Sequence, residues 1–434
     1  MKIKAKEKSY AEVMALARPE RKKPIRPSML FRTIMCVGSL PELILTGFKL
    51  KKINMERLGK KEPCLYLMNH SSFIDMEIVA RCLYPRSFNI VCTTDGMIGK
   101  NWLMHQIGCI PTKKFLTDSS LVRDMMYALH KLNSSVVLYP EAGYSLDGKA
   151  TTLPRTLGKC LKLLKVPVVM IRTHGAFSRQ PLYNGLQKRK VPISAEMEYI
   201  LSPEDIAQKS PEELSAILDE QFAFDHFRWQ QEEQIRITEP HRADGLNRVL
   251  YKCPACGCEG KTKGEGTHLT CTACGKVWEM DELGQMKATS GETEFAHIPD
   301  WVAWQRQCVA KELEQGSYKL DCDVDIYMMV DTKSIYHVGG GHLTHDHTGF
   351  RLTGSDGQLD YQQKPDASYT INADFYWYEL GDIISIGDND ALFYCIPQNC
   401  GDVAIKTRLA AEELYKRLAP VRKRRRKSAE DSEK

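Results

Sequence analysis

Between residues 63 and 200 the apolar positions fall in short blocks whose period switches repeatedly. Cys64–Met68 is a short apolar run with strand character, and Met76–Leu83 then takes helical spacing. Phe88–Thr93 reads as a strand. Leu121, Val122, Met125, Met126, Leu129 and Leu132 recur every three or four positions and predict an amphipathic helix. Val136–Tyr139 is a buried strand by its β-branched content, Thr156–Leu164 a helix, and Val166–Ile171 a strand again. This alternation predicts an α/β domain with a mixed, largely parallel sheet and helices packed on it.

Outside that block the pattern changes. Met29–Phe48 is the most apolar stretch, interrupted by Arg32, Pro41 and Glu42. It falls short of the roughly 18 uncharged residues a spanning helix needs. It divides into two short apolar segments, which lie in a membrane interface or pack as a helical pair on their own domain. Residues 203–245 are charged and helical, a connector. Around Trp301, Trp304 and Val309 a linker helix is expected over 299–318. From 320 to 419 β-branched and aromatic runs separated by Gly, Asp and Asn predict a mainly β domain, closed by a helix over Val403–Leu418. Residues 1–28 form a basic leader and 420–434 a basic, disordered tail.

Charge sharpens this division. The 434 residues carry a formal net charge of +5, with 43% hydrophobic and 26% charged residues, a composition that excludes collagen, wholesale disorder and a polytopic membrane protein. Residues 280–420 hold 23 Asp/Glu against 11 Lys/Arg, net −12, which leaves +17 for the rest. Residues 1–27 have nine Lys/Arg against three Glu, and 421–427 read VRKRRRK. An anionic partner is implied, either a phospholipid surface or nucleic acid.

Five of the 15 cysteines lie between 253 and 274. CPACG and CTACG supply two Cys-x2-Cys knuckles, and four thiolates at that spacing suit a tetrahedral Zn²⁺. Cys253, Cys256, Cys271 and Cys274 are therefore expected to form a structural zinc ribbon over 250–282, with Cys258 and His268 as bystanders. The glycine after each pair permits the tight turn. The other ten cysteines mostly lie in apolar runs and read as small core residues in a reducing cytoplasm. His337, His342, His345 and His347 straddle glycines in an expected turn and read as ordinary exposed histidines.

The chemistry concentrates at strand ends. Asn69 and His70 follow the first strand, and His70 is the one histidine of 12 with an Asp five positions on, Asp75. A carboxylate there can fix the imidazole tautomer and stabilise its protonated form, the base half of a triad without an enzyme nucleophile. A helix-capping Asp beside a structural His is the alternative for this segment alone. A second strand end carries Pro140, Glu141 and Gly143.

Taken in order, these blocks resemble the glycerolipid acyltransferase family typified by lysophosphatidate acyltransferase. Its Asn-His-x-Ser and His-x4-Asp motifs correspond to Asn69, His70, Ser72 and Asp75. Its Phe-Pro-Glu-Gly-Thr-Arg-Ser block corresponds to Tyr139-Pro140-Glu141-Ala142-Gly143-Tyr144-Ser145, and its Val-Pro-Val strand to Val166–Val169. The resemblance spans roughly residues 30–200, within an acyltransferase domain drawn over 29–245. It implies acyl transfer from acyl-CoA or acyl-carrier protein to the hydroxyl of a lysophospholipid, 1-acylglycerol-3-phosphate giving phosphatidic acid. It implies His70 as general base, Asp75 as its orienting partner, and Asn69, Ser72, Lys114, Glu141, Gly143 and Ser145 around the substrates.

Two positions depart from the family. Tyr144 stands where arginine is usual, and Lys113 and Lys114 stand where the middle motif has arginine, so a point charge replaces a bidentate fork. Lys149, Arg155 and Lys159 are nearby cations whose default reading is solvated surface. The order of elements over 320–419 looks like a pleckstrin-homology or GRAM-type β-barrel, and the net −12 of residues 280–420, which contain it, points to a protein partner rather than to a bilayer. The whole reads as a cytoplasmic enzyme peripheral on the inner face of an anionic membrane, with no nucleic acid expected. A zinc-ribbon nucleic-acid-binding protein and an inactive, lipid-binding acyltransferase homologue are the competing readings.

Overall fold

The computed structural model describes residues 4–115 and 119–432, with side chains through residue 418. The chain begins far from where its sequence neighbours lie. Strand β1 (Lys6–Glu7) pairs in parallel with Tyr336 and His337 of the C-terminal sheet. Helix α1 (Tyr10–Met14) follows, started by a Ser9–Glu12 capping box. The next residues run as a strap over the α/β domain, where Asn89 Nδ2 donates to Ile25 O at 2.8 Å and Arg21 pairs with Asp124. The leader is thus tied down at both ends of its course.

Helix α2 (Met29–Leu45) is a single helix, not the two segments expected from Pro41. Pro41 lies close to the helix end, where it removes one backbone donor, and Thr46 N still closes on Glu42 O at 3.1 Å. The central sheet comprises β2 (Lys49–Ile53), β3 (Leu65–Met68), β4 (Phe88–Thr93), β5 (Cys109–Thr112), β6 (Ser135–Leu138), β7 (Val168–His174) and β8 (Ser194–Leu201), in the order β2-β8-β7-β3-β6-β4-β5. All neighbours are parallel except β7 and β8. Between these strands come α3 (Asp75–Leu83), α4 (Asn101–Gln106), α5 (Ser119–His130), α6 (Leu157–Leu164) and α7 (Ala176–Arg179). The connector supplies α8 (Pro203–Gln208), α9 (Pro211–Phe222) and α10 (His226–Glu232).

Strand alternation divides the core. Tyr66 and Met68 of β3 face a layer with Leu43, Ile78, Val79 and Leu83, while Leu65 and Leu67 face Met125, Leu129, Leu161 and Leu218 on the other side. The sheet is thereby buried on both faces, as a parallel sheet requires.

The cysteine module is a four-stranded antiparallel sheet of β9 (Thr262–Glu265), β10 (His268–Cys271), β11 (Val277–Met280) and β12 (Met286–Ala288). Helix α11 (Ile298–Glu314) leads from it to the last sheet, β13 (Leu320–Met329), β14 (Tyr336–Asp346), β15 (Gly349–Gly354), β16 (Leu359–Gln363), β17 (Asn372–Trp377), β18 (Gly381–Gly387) and β19 (Leu392–Pro397). Its antiparallel path runs β16-β15-β14-β13-β19-β18-β17, with β16 and β17 at the two ends. Of the four histidines expected in a turn, His347 lies in the hairpin turn between Asp346 and Gly349, while His337, His342 and His345 lie in β14. His345 is buried rather than exposed, because it stacks on Phe350 at 3.7 Å and meets Tyr318 Oη at 2.9 Å. His342 is held between Asp321 and Asp323, and His337 against Glu7.

Helix α12 (Ala404–Ser432) continues as helical backbone across the basic stretch read from sequence as a tail, and residues 433–434 lie outside the described residues. The appended modules are not separate beads. One continuous core joins Phe177 and Phe227 of the α/β region, Cys253 and Trp278 of the cysteine module, Trp301 of α11 and Ile384 of β18. Trp278 and Trp301 meet edge to face at 5.0 Å, with Trp301 Nε1 donating to Lys252 O.

Candidate active site

Strands β3 and β6 are adjacent and parallel, so the turns after both emerge at the same edge of the sheet, where α/β folds gather their ligands. Asn69, first past β3, is buried and knits that turn to the neighbouring strand. Its Oδ1 accepts from Thr173 N at 2.8 Å, and its Nδ2 donates to Thr173 O and to Ser71 Oγ. His70 follows, its Nδ1 2.9 Å from Asp75 Oδ2. Asp75 opens α3, and the same oxygen accepts from Ser71 N at 2.8 Å and Ser72 N at 3.1 Å. Asp75 is not the cap of α3, which is Ile74 without a side-chain hydrogen bond; its carboxylate closes the preceding turn and meets the His70 imidazole. A carboxylate on Nδ1 selects the tautomer with Nδ1–H and leaves Nε2 as the basic nitrogen.

The second turn braces the first from below. Glu141 is 2% exposed. Its Oε2 accepts from His70 N and its Oε1 from Thr151 N, each at 2.8 Å. Burial pushes its carboxyl up to about 7, with the two backbone donors opposing. Ser145 N donates to His70 O at 3.0 Å, and Ser145 Oγ to Lys149 O. Asn69, Glu141 and Ser145 thus hold the backbone that carries His70 and do not line the cavity. His70, Ser72, Asp75, Lys114 and Gly143 do line it.

That cavity measures about 1520 Å³ and opens beside His70, whose side chain is 22% exposed. The imidazole lies between two rings, Tyr139 at 4.3 Å and Tyr144 at 4.1 Å. Tyr144, at the departure from arginine, offers an aromatic face where a charge is usual. Burial raises both phenols well above their ordinary range, so both stay neutral. Lys114 Nζ donates to Asn372 Oδ1 at 3.3 Å and lies 4.0 Å from Asp95 Oδ2. Arg155 and Lys159, read as surface, also reach the cavity, and Arg155 lies over the Tyr415 ring at 5.8 Å.

Residues 49–173 match the Acyltransferase family model. The acyltransferase match runs from β2 to the last turn of β7 and contains His70, Asp75 and Glu141 together. Among solved structures, the chain is similar to the crystal structure of the 1-acyl-sn-glycerophosphate (LPA) acyltransferase PlsC from Thermotoga maritima, at 16% identity and a TM-score of 0.38, covering 47% of this chain and 80% of that one. No curated protein matches the chain.

The acyltransferase stretch does not enclose the cavity alone. Asp374, Tyr376 and Trp377 of β17, Tyr378 after it and Tyr415 of α12 form its far wall. Burial pushes the Asp374 carboxyl up to about 6, against the opposing pull of Lys114. No motif marks these residues, and the −12 charge of residues 280–420 points to a protein partner rather than to a bilayer. Behind His70, His226 of α10 meets Ser71 Oγ at 3.1 Å. Its burial lowers the imidazole to about 3, so it remains a neutral partner.

The four cysteines form a second site, remote in sequence. Their sulfurs all lie within 4.8 Å of one another, with Cys253–Cys274 at 3.8 Å and Cys256–Cys271 at 3.7 Å. A tetrahedron with Zn–S bonds of about 2.3 Å has sulfur–sulfur edges of about 3.8 Å, so the thiolates fit that ion. Gly257 and Gly275 take φ of 76° and 75°, and their amides close the knuckles on Cys253 O and Cys271 O. Cys258 and His268 lie outside the group.

Proposed function

We propose that the protein transfers an acyl group from a thioester, acyl-CoA or acyl-carrier protein, to the hydroxyl of a lysophospholipid, with 1-acylglycerol-3-phosphate as acceptor. The observation that carries this reading is the 2.9 Å His70–Asp75 contact at the mouth of a cavity large enough for two lipid chains. His70 Nε2 takes the proton of the acceptor hydroxyl as its oxygen attacks the thioester carbonyl. Asp75 keeps Nδ1 protonated and stabilises the imidazolium. The tetrahedral intermediate then collapses, the C–S bond breaks, and the thiolate leaves with the proton returned from Nε2. A positioned base of this kind contributes about 10²–10⁴-fold. Glu141, Asn69 and Ser145 act as positioning residues, while Ser72, Gly143 and Lys114 face the substrates. Zn²⁺ held by Cys253, Cys256, Cys271 and Cys274 supplies folding energy and no chemistry, because four protein ligands close its coordination.

The acceptor reaches the site from a membrane surface. No helix among the described residues is long and apolar enough to cross a membrane. Helix α2 instead exposes Leu30, Ile34, Val37 and Ile44 along one side, and Trp102 of α4 stands exposed beside Phe31. An apolar stripe of this kind, next to the basic strap, suits an anionic interface, where each Lys/Arg contributes roughly 1 kcal/mol. This fits a peripheral location at a membrane surface. Incubation with acyl-CoA or acyl-carrier protein and a panel of lysophospholipids, followed by mass spectrometry of the lipids, tests the reaction. A diacyl product 1-acylglycerol-3-phosphate-dependent in its yield supports it, and no acylated lipid from any donor and acceptor pair overturns it.

A further inference from the structure

The loop that carries Lys114 is tied to the C-terminal domain. Lys114 Nζ donates to Asn372 Oδ1 at 3.3 Å, and Lys113 Nζ to Asn389 O. Ser368 Oγ donates to Phe115 O at 2.8 Å. On the facing turn, Tyr378 Oη donates to Asp95 O at 2.9 Å, and Asp95 is the carboxylate nearest Lys114. Asn372 is itself buried.

Strand β17, which supplies Asn372, is distorted where it meets the cavity. Pairing of β17 with β18 shifts register between Asp374 and Trp377. Tyr376, Tyr378 and Glu379 have φ of 53°, 47° and 64°, three non-glycine residues in the left-handed region within four positions. Non-glycine residues rarely take this conformation, and a cluster of them persists where surrounding contacts over-determine it. Here the bulge turns Asp374, Tyr376 and Tyr378 onto the cavity that His70 shares. An ammonium has three donors. Asn372 takes one, Asp95 lies within ion-pair reach, and the group still borders the open cavity.

We propose that the β17 bulge is the head-group side of the acyltransferase site, with Asn372 and Tyr378 positioning Lys114 to contact the phosphate of the acceptor. The acidic domain is then a specificity-determining half of the site rather than an appendage. This rests on the acyl-transfer reading above. It accounts for the missing arginine at Tyr144: the positive charge is supplied from the loop after β5 and fixed by a strand more than 250 positions later.

The test uses the full-length protein and two acceptors, 1-acylglycerol-3-phosphate and a monoacylglycerol that lacks the phosphate. Asn372→Ala and Tyr378→Phe should each raise KM for the phosphate acceptor about five- to tenfold, with kcat and the donor KM changed less than about twofold. Neither should move KM for the monoacylglycerol. Thr332→Ala removes another contact between the same parts, to Asn101, and should leave both acceptors unaffected. An unchanged KM for the phosphate acceptor in folded Tyr378→Phe protein, or an equal rise for both acceptors, would overturn the proposal. Failure of the acyl-transfer reading registers separately, as no acylated product from either acceptor with the parent protein.

Discussion

Glu141 accepts a hydrogen bond from the backbone nitrogen of His70 at 2.8 Å, so a buried carboxylate supports the residue proposed as base from beneath. The other oxygen of the same carboxyl holds Thr151 N. Glu141→Ala leaves two enclosed N–H groups without partners, each worth about 1–3 kcal/mol. We expect Tm to fall by several degrees and kcat to fall at least about tenfold, with the acceptor KM little changed. Thermal melts and steady-state kinetics on the same preparation check this. Unchanged kcat would show that the brace is irrelevant to His70.

Two enclosed carboxyls, shifted further than Glu77, Asp147, Asp219 and Asp382, lead an unusual pH slope. Glu141 is raised to about 7 and Asp374 to about 6. A carboxyl raised in the folded state binds more protons folded than unfolded between its two values. Stability therefore falls as pH rises from about 4 through 7, opposing the usual gain from ion-paired carboxylates such as Glu412. Asp374→Asn removes one of the two. Because Asp374 borders the cavity and is partly screened, its share is roughly 1 kcal/mol. Melting curves from pH 5 to 8 should decline less steeply in Asp374→Asn than in the parent protein.

The cysteine site should matter for activity without taking part in it. Trp278 and Cys253 belong to the core that continues through Trp301 into the C-terminal sheet, and that sheet walls the cavity. Cys271→Ser should lower zinc content well below one equivalent and lower Tm, and should take activity with it. Metal analysis alongside the kinetics checks the link. Zinc-free protein with full stability and turnover would remove the ion from the account.

The exposed side of α2 predicts a phenotype confined to membranes. Ile34→Glu with Ile44→Glu places charges where apolar groups would enter the interface. Binding to vesicles with anionic lipid should weaken by an order of magnitude or more, while turnover of a short-chain, water-soluble acceptor stays within about twofold. Vesicle sedimentation and the soluble assay together distinguish a docking surface from a folding defect.

Much of this arrangement is legible in local pattern. Leu65–Met68, Ser135–Leu138 and Val168–His174 are apolar runs covered on both faces, and helices α3, α5 and α6 carry clear 3.6-residue stripes. The alternation Ser194–Leu201, buried at every second residue, also marks a strand, although charged helices follow it directly. The His70–Asp75 pair is local and appears as a spacing. Glu141 was visible as a motif residue, but its direction was not. A carboxylate beneath a backbone and one facing a ligand look identical in sequence. The β17 wall is harder still. Its residues join His70 through packing of two sheets, with no periodicity linking position 70 to position 374. The domain charge gives no sign of it either, because Asp374 faces Lys114, a cation from another part of the chain.

The most direct test of the central claim is thiol release from acyl-CoA or acyl-carrier protein in the presence of lysophospholipid, comparing the parent protein with His70→Ala and Asp75→Asn. The account predicts lipid-dependent release by the parent protein. It predicts a loss of about 10²-fold or more in both variants, with each still folded by circular dichroism. Lipid-dependent release undiminished in folded His70→Ala protein would contradict it.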